Sequence, residues 1–298
     1  MNLRRITIFL TVAKHLSYTK AARELYMSQP AITKNIQEFE QELGARLFNR
    51  KGNSIELTPA GKLAYSYSSD IDQLIQNLTY ELGLMNETQA GNLCIGASST
   101  ISQYLIPPVI AHFKESYPQT SISLASGNTS EINTQLNDDL IDVGITEGHR
   151  KLKNFEYIPF KDDEIAFISH IDSPISIPDI FPKTTLSELP LVIRETGSGT
   201  REVFEKALKQ LGLTLADLNI LISLGSTESI KSFLPGSGAI GVFSTSAIRK
   251  GEQASFTFSY LKEYRIPRKF QFVIKHGSAH KLAREFIRFS KRHYNVSS

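Results

Sequence analysis

The sequence predicts an α/β protein that begins with an all-α segment and a small hairpin. Three observations predict it. Within the first sixty residues, apolar positions recur at spacings of three and four on either side of a tight turn. A single helical seam then runs from about Pro59 to Met85. From Gly91 onward, short apolar strand-like runs alternate with helical patterns, the order of a parallel α/β architecture.

In the first segment, Leu3, Ile6, Phe9, Leu10 and Ala13 mark one face of a helix from about Leu3 to Lys14. Lys14 and His15 interrupt its apolar run, which argues against a secretion signal. Other apolar runs, such as LIPPVIAHF, fall well short of the ~18 residues needed to span a bilayer, so a cytoplasmic protein without a membrane partner is expected. A short alanine-rich helix follows from about Thr19 to Leu25. Ser28 is then a good N-cap, Pro30 is tolerated in the first turn, and a third helix runs to Leu43 before Gly44 stops it. Its expected buried positions are Ile32, Ile36, Phe39 and Leu43.

Two helices across a tight turn form the helix-turn-helix plan, whose second helix enters the major groove. Burial of the apolar side leaves Gln29, Thr33, Lys34 and Gln37 facing outward. Gln pairs with adenine, Lys reaches guanine or phosphate, and Thr touches a thymine methyl. The same spacing equally describes a solvated helix face. Beyond it, two strand-like pieces flank Lys51-Gly52-Asn53-Ser54, a β-turn with basic residues at its tip. A net charge of +3 does not itself argue for nucleic acid, so the case rests on local placement. The single cysteine, Cys94, excludes an intrachain disulfide and a multi-thiolate metal site, and is expected as a buried strand residue.

Thr58 caps the long helix, in which Ala64, Tyr67, Ile71, Leu74, Leu78 and Met85 form the seam of a helix pair. At 1.5 Å per residue it is roughly 40 Å long and exposes an apolar stripe if left unpartnered. Glu87–Gly91 reads as a hinge.

In the last two thirds, strands are predicted at Asn92–Ala97, Ser121–Ala125, Asp142–Thr146, Leu191–Arg194, Ile220–Leu224 and Ala239–Phe243, with helices starting near Thr100, Ser130, Gly199 and Thr227. A final strand, Lys269–Ile274, and a helix from about Ala279 to Tyr294 close the chain. Ligands of open α/β sheets bind beyond the carboxyl ends of strands. Four such ends are rich in hydroxyls: Ser98-Ser99-Thr100, Thr146-Glu147-Gly148, Thr196-Gly197-Ser198-Gly199-Thr200, and Ser226-Thr227. Each hydroxyl taken singly is also explained as a helix cap. The glycine loop before a helix suits an anion or carboxylate, with Arg201 as a further partner, whereas Glu147 opposes one unless the ligand also carries an amine. No Walker or dinucleotide pattern is completed, no His pair has metal-ligand spacing, and no motif marks a base for a nucleophile, so no cofactor, metal or catalytic residue is expected. His149 is closest to the cleft and is read as a surface or capping residue.

The run FLTVAKHLSYTKAARELYMSQPAITKNIQEFEQELGARLFNRKGNSIELTPAG resembles the winged helix-turn-helix of LysR-type transcriptional regulators, through S-Y-T-K-A-A, S-Q-P-A, L-G-A-R-L-F and L-T-P-A-G. The resemblance implies that Gln29, Thr33 and Lys34 face the major groove of a double-stranded operator, while Arg50 and Lys51 on the wing contact backbone or minor groove. Thr19, Ser28 and Gln37 complete the expected DNA-binding set. Thr33 and Lys34 depart from the Ser and Arg common in the family, which alters the base preferred. The family plan implies residues 1–58 as DNA-binding domain, 59–90 as dimerising linker helix and hinge, and 91–298 as a two-lobed, periplasmic-binding-protein-like effector domain. Lobe I would take about 91–160 and 265–298, and lobe II about 161–264, with crossings near Pro159–Lys161 and Tyr264–Pro267. Its implied partners are operator DNA, a small effector in the interlobe cleft, a second copy through the linker helix (a tetramer being possible), and RNA polymerase if it activates. A two-lobe solute-binding protein and an anion-handling enzyme remain the alternatives.

Overall fold

The computed structural model describes residues 2–51, 54–85, 91–148, 152–277 and 280–296. The chain divides into two compact units, one built mainly from Met1–Gly91 and one from Asn92 onward, with short segments at Asp138–Leu140 and Ala279–Leu282 that cluster with the first.

The first unit opens with α1 (Leu3–His15), capped by Asn2, whose side chain accepts from the Arg4 amide. α2 (Tyr18–Glu24) is capped by Ser17, and α3 (Gln29–Leu43) by Ser28. Leu16 and Gly44 end α1 and α3 in the left-handed conformation, which lets the chain reverse after each helix. Ile6, Phe9, Val12, Ala21, Ile32, Ile36 and Phe39 share one core, in which the Phe9 ring lies 5.6 Å from Phe39 and 5.5 Å from Phe48. Leu43, expected inside, is instead 42% exposed, because it falls in the last turn, past the part of α3 that the core covers.

The hairpin β1 (Phe48–Lys51) and β2 (Ser54–Leu57) pairs antiparallel, Phe48 opposite Leu57. It is pinned to α3 by Glu40, whose Oε1 accepts from the Leu47 amide at 2.7 Å and the Phe48 amide at 3.2 Å. Thr58 caps α4 (Pro59–Met85) as expected: its Oγ1 accepts from the Gly61 amide at 2.8 Å and donates to the Arg46 carbonyl at 2.6 Å. Gly61 is demanded by packing, since a Cβ there would stand 2.1 Å from the Leu47 carbonyl oxygen.

The seam of α4 divides. Ala64 and Ile71 pack against the helix-turn-helix core, while Leu63, Tyr67, Leu74, Leu78 and Leu82 form an exposed apolar stripe. At 3.6 residues per turn the faces drift, and the end nearest the small domain uses one of them to close its core. The Met85 side chain and the Glu87–Ala90 part of the hinge lie outside the described residues.

The second unit holds β3 (Gly91–Ser98), α5 (Ile106–Ser116), β4 (Thr120–Gly127), α6 (Thr129–Asn137), β5 (Val143–Glu147), β6 (Phe155–His170), β7 (Ile180–Phe181), β8 (Leu191–Arg194), α7 (Gly199–Gln210), β9 (Ile220–Leu224), α8 (Thr227–Phe233), β10 (Ile240–Ser244), β11 (Phe256–Leu261), β12 (Ile266–Lys275) and α9 (Lys281–Val296). The helix expected near Thr100 begins as one π-type turn, Ile101–Leu105. Pro107 and Pro108 supply no amide to bond back into that turn, so regular α5 starts only at Ile106.

Strand order in the sheet is β4-β3-β5-β12-β6-β10-β8-β9. The parallel pairs β3–β5, β8–β9 and β8–β10 match the sequence expectation. The long β6 and β12 run antiparallel between the two halves, a feature that simple alternation does not reveal. A register shift places Phe270 opposite Lys161 and Gln271 opposite Pro159, at the expected crossing. Period two in β6 sends Ile165 and Phe167 into one core with Val203 and Phe204, and Ala166 and Ile168 into another with Ile230 and Phe243. A further core gathers Ile132, Leu136, Phe155 and Val273 from α6, β6 and β12. β11, with Phe256, Phe258 and Tyr260 packed on one of these cores, is a strand the sequence reading missed. Cys94 lies in β3 as expected but is only half-buried.

Gly61→Ala is expected to destabilise the first unit by about 1–3 kcal/mol through overpacking against Leu47. A denaturant unfolding midpoint matching wild type would contradict that packing.

Candidate functional site

Two groups of polar residues stand out, one in each unit. On α3, Gln29 and Gln37 are exposed, Thr33 is half-buried, and Lys34 has 77% of its side chain exposed. Gln29 Nε2 donates to Thr33 Oγ1 at 3.1 Å, and that hydroxyl donates to the Gln29 carbonyl at 3.1 Å, so the two side chains brace one another. Glu38 lies 4.0 Å from Lys34, but Arg5 pairs with both Glu38 and Glu42 and offsets the acid beside this face. Ser28 is exposed at the N-cap, and Thr19 is exposed in the first turn of α2. Arg50 and Lys51 lie on β1 at the hairpin. Their side chains, and Gly52 and Asn53 at its tip, are outside the described residues.

In the second unit, the strand ends that the sequence marked do converge. Glu147 at the end of β5 accepts from Ser98 Oγ at the end of β3. Thr100 Oγ1 lies 3.3 Å from Thr227 Oγ1 at the start of α8. Thr200 Oγ1, in the first turn of α7, is 3.5 Å from Glu147 Oε1. Thr129 Oγ1 donates to the Glu147 carbonyl at 3.1 Å. Thr146 is buried in β5, and Ser226 spends its hydroxyl as N-cap of α8, accepting from the Ser229 amide. His149 lies outside the described residues.

Three residues that organise this cluster escaped the sequence reading. Arg268 of β12, 2% exposed, donates through Nε to Asp163 Oδ2 and through Nη1 to Thr200 Oγ1 at 2.8 Å, with Glu147 Oε1 3.5 Å away. Asp163 of β6 also accepts from Ser244 Oγ at 2.7 Å and Ser246 Oγ at 2.6 Å. Burial alone would raise the Asp163 pKa, but the Arg268 charge, with the Ser246 and Ser244 hydroxyls, holds it below the ordinary carboxylate value. Arg194, at the end of β8, forks onto Glu195 at 2.7 and 2.9 Å and reaches Thr227 Oγ1 at 3.4 Å. A sequence signal existed for Arg268: it shares the strand face of Ile266 and Phe270, where a charge is out of place without buried partners.

The glycine loop has two sides. Inward, Gly199 packs so closely that a Cβ would stand 2.4 Å from the Glu147 carbonyl and 2.6 Å from Thr129 Oγ1. Outward, Thr196, Gly197, Ser198 and Arg201 line an open polar groove of about 830 Å³ with Thr129, Asn133, Glu202 and Glu205. Ser198 Oγ and Asn133 Oδ1 are buried and, among the described residues, have no hydrogen-bond partner. Arg201 is held by Glu205 at 2.7 Å rather than standing free for a ligand. Gly197 takes φ +90°, which brings its would-be Cβ to 3.3 Å from Asn128 Oδ1, so both space and conformation call for glycine. Such a wall of hydroxyls, an amide, one guanidinium and two carboxylates can hold a small polar molecule by directional hydrogen bonds.

Comparison with known proteins places both halves. Residues 3–62 match the model for the bacterial regulatory helix-turn-helix protein, lysR family, and residues 86–295 match the LysR substrate binding domain. The chain is 27% identical to the HTH-type transcriptional regulator CysL of Bacillus subtilis (strain 168), over 89% of this chain and 88% of that protein. It is 30% identical to a probable RuBisCO transcriptional regulator of Phaeodactylum tricornutum, over 96% and 94%. Among solved structures it shares the fold of a full-length OxyR variant from Pseudomonas aeruginosa, with a TM-score of 0.72, 19% identity, and coverage of 98% and 95%. CbnR in complex with its target DNA gives a TM-score of 0.62 at 20% identity, covering 98% and 99%.

Because the folded pKa of Asp163 is depressed, its ionisation contributes stability that is complete above its unfolded value near 3.8 and is lost as pH falls through the lower folded value. Asp163→Asn removes that contribution. The variant should be less stable than wild type at neutral pH, and the difference should shrink in acid denaturation below about pH 4. A gap that stays constant with pH would contradict the ionised pairing.

Proposed function

The chain belongs to the LysR family of DNA-binding transcriptional regulators, and from that premise we propose how this member reads DNA and senses its effector. Its relatives are regulators, and it is a regulator rather than an enzyme or a transport solute-binding protein. In the proposed reading, α3 lies in the major groove with Gln29, Thr33, Lys34 and Gln37 toward the bases. Thr19 and Ser28 approach the flanking backbone, and Arg50 and Lys51 of the wing meet backbone or minor groove. A second copy pairs along the exposed stripe of Leu63, Tyr67, Leu74, Leu78 and Leu82 on α4, so that two recognition helices reach successive half-sites. The domain limits follow the family plan: 1–58, 59–90 and 91–298. The setting is cytoplasmic, and RNA polymerase is a partner if the protein activates.

The proposed effector is a small molecule with an anionic group, bound to the outward side of the Thr196–Thr200 loop. The observation that carries this reading is Ser198 Oγ, buried without a partner among the described residues at the start of α7, on a groove that also holds Arg201. Backbone amides at a helix N-terminus favour an anion there. Glu202 on the same wall suits a second, cationic group, so a molecule with both carboxylate and amine fits best. Binding that favours one arrangement of the lobes would be transmitted to operator affinity or bend, and a coupling of about 1–3 kcal/mol gives roughly 5–150-fold control.

A thermal melt against a panel of amino acids, carboxylates and oxyanions tests the sensing half. A ligand at about 100 times its dissociation constant stabilises by roughly 2.7 kcal/mol, a shift of several degrees, and Ser198→Ala should weaken the response. No shift from any member, or an unchanged shift in the variant, sinks this placement. For the DNA half, Lys34→Ala should lower operator affinity by about 1–3 kcal/mol and relax preference at one base position. Unchanged affinity and preference would remove α3 from the groove.

A further inference from the structure

The inward side of the same loop holds a feature that neither the family nor the groove explains: it faces a buried carboxyl group of the protein itself. Glu147 has a side chain only 1% exposed, seated at the N-terminus of α7. One carboxylate oxygen accepts from Ser98 Oγ, and the other lies 3.5 Å from both Thr200 Oγ1 and Arg268 Nη1. Gly199 is what permits the approach, since a Cβ at that residue would meet Glu147 Cγ at 2.7 Å. A carboxylate set against the first turn of a helix, a hydroxyl and a guanidinium has the surroundings of a bound anion.

The charges and donors agree. Arg268 is shared between Asp163 and Glu147, so the cluster contains one more carboxylate than its guanidinium balances. Fixed dipoles and hydroxyls must supply the rest, and a further free anion would be repelled. Yet Arg268 Nη2, on a residue 2% exposed, is buried without a partner among the described residues. The cluster thus offers more hydrogen-bond donors than the two oxygens of Glu147 occupy.

We propose that Glu147 is a tethered carboxylate occupying an oxyanion site between the two lobes, and that it sets the specificity of the cleft by excluding free anions from the buried cluster. This deepens the effector reading and rests on it for its biological meaning: the anionic group of an effector is confined to the outward side of the loop, where Ser198 and Arg201 lie. Glu147→Ala deletes the tethered group and leaves a vacant site for an untethered one of the same chemistry. Glu147 is a lobe I residue and Thr200 a lobe II residue, so the contact also clasps the lobes without any ligand.

The test uses the full chain, with formate, acetate and sulfate as probes at matched ionic strength in low-chloride buffer. Wild type should show no saturable stabilisation by formate or acetate. Glu147→Ala should melt lower, and either probe should raise its midpoint in a saturable way, with affinity at least roughly tenfold above wild type, the factor that a charge-assisted hydrogen bond commonly confers. Adding Thr200→Val to Glu147→Ala should weaken that gain. Should Glu147→Ala fail to fold in plain buffer, its refolding yield is measured against the same probes, and rescue by any of them supports the proposal. Equal stabilisation of wild type and variant, or a variant that none of the probes stabilises or rescues, overturns it. The readout is anion occupancy, not DNA response. A failed amino-acid panel with successful acetate rescue would therefore fault the groove reading alone, and the reverse result would fault the tethered carboxylate alone.

Discussion

The guanidinium of Arg268 is the constraint around which the effector-binding unit is organised. An ionised group buried to this degree is tolerated only where acceptors surround it, and breaking such a pair from one side commonly costs about 3–5 kcal/mol. Its acceptors come from separate parts of the fold: Asp163 from the neighbouring crossing strand, Thr200 from the first turn of α7, and Glu147 from the end of β5. Those elements cannot drift apart independently without leaving the charge exposed to apolar surroundings. The ends of β5 and α7 and the long strands β6 and β12 are therefore related through one polar knot.

The DNA-binding unit is held by a different device. Apolar packing of Phe9 on Phe39 and Phe48 sets the helices, but it does not fix how the hairpin leaves α3. That is done by Glu40, which accepts two consecutive amides at Leu47 and Phe48, and by Thr58, which joins the Arg46 carbonyl to the first turn of α4. Polar groups here satisfy backbone that would otherwise be orphaned, and in doing so orient the hairpin beside α3. On the exposed polar face of α3, Gln29 and Thr33 brace one another and Lys34 lies 4.0 Å from Glu38, surface contacts that leave this face open to a partner.

Much of this was legible in the sequence because it follows from local rules. The N-caps at Ser28, Thr58 and Ser226, the stop at Gly44, the strands Leu191–Arg194 and Ile220–Leu224, and the start of α7 at Gly199 all fall where capping chemistry and periodicity put them. The hydroxyl-rich strand ends were also visible as a set. What was hidden depends on partners far away in the chain. Nothing beside Arg268 in sequence names Asp163 or Glu147, and only its place on an apolar strand face hinted at burial. Leu43 was misjudged because period alone does not say where a core stops. The split of the α4 stripe was missed for the same reason: one helix serves two surfaces, and its pattern is the sum of both.

The glycine loop shows how a motif can be legible in its backbone and incomplete in its geometry. Thr-Gly-Ser-Gly-Thr does open a helix at Gly199, but a helix end has two accessible sides, and the sequence gives no sign of which is open. Here the side toward the strand ends is taken by Glu147, with Gly199 allowing the close approach, and the side toward α6 opens on a polar groove. The carboxylate that argues against an anion when the sequence is read alone is better understood as satisfying the same electrostatic demand from within. An acidic residue next to a phosphate-like loop is then no contradiction: it marks a site whose ligand on one side is covalently attached, leaving selectivity to be decided on the other.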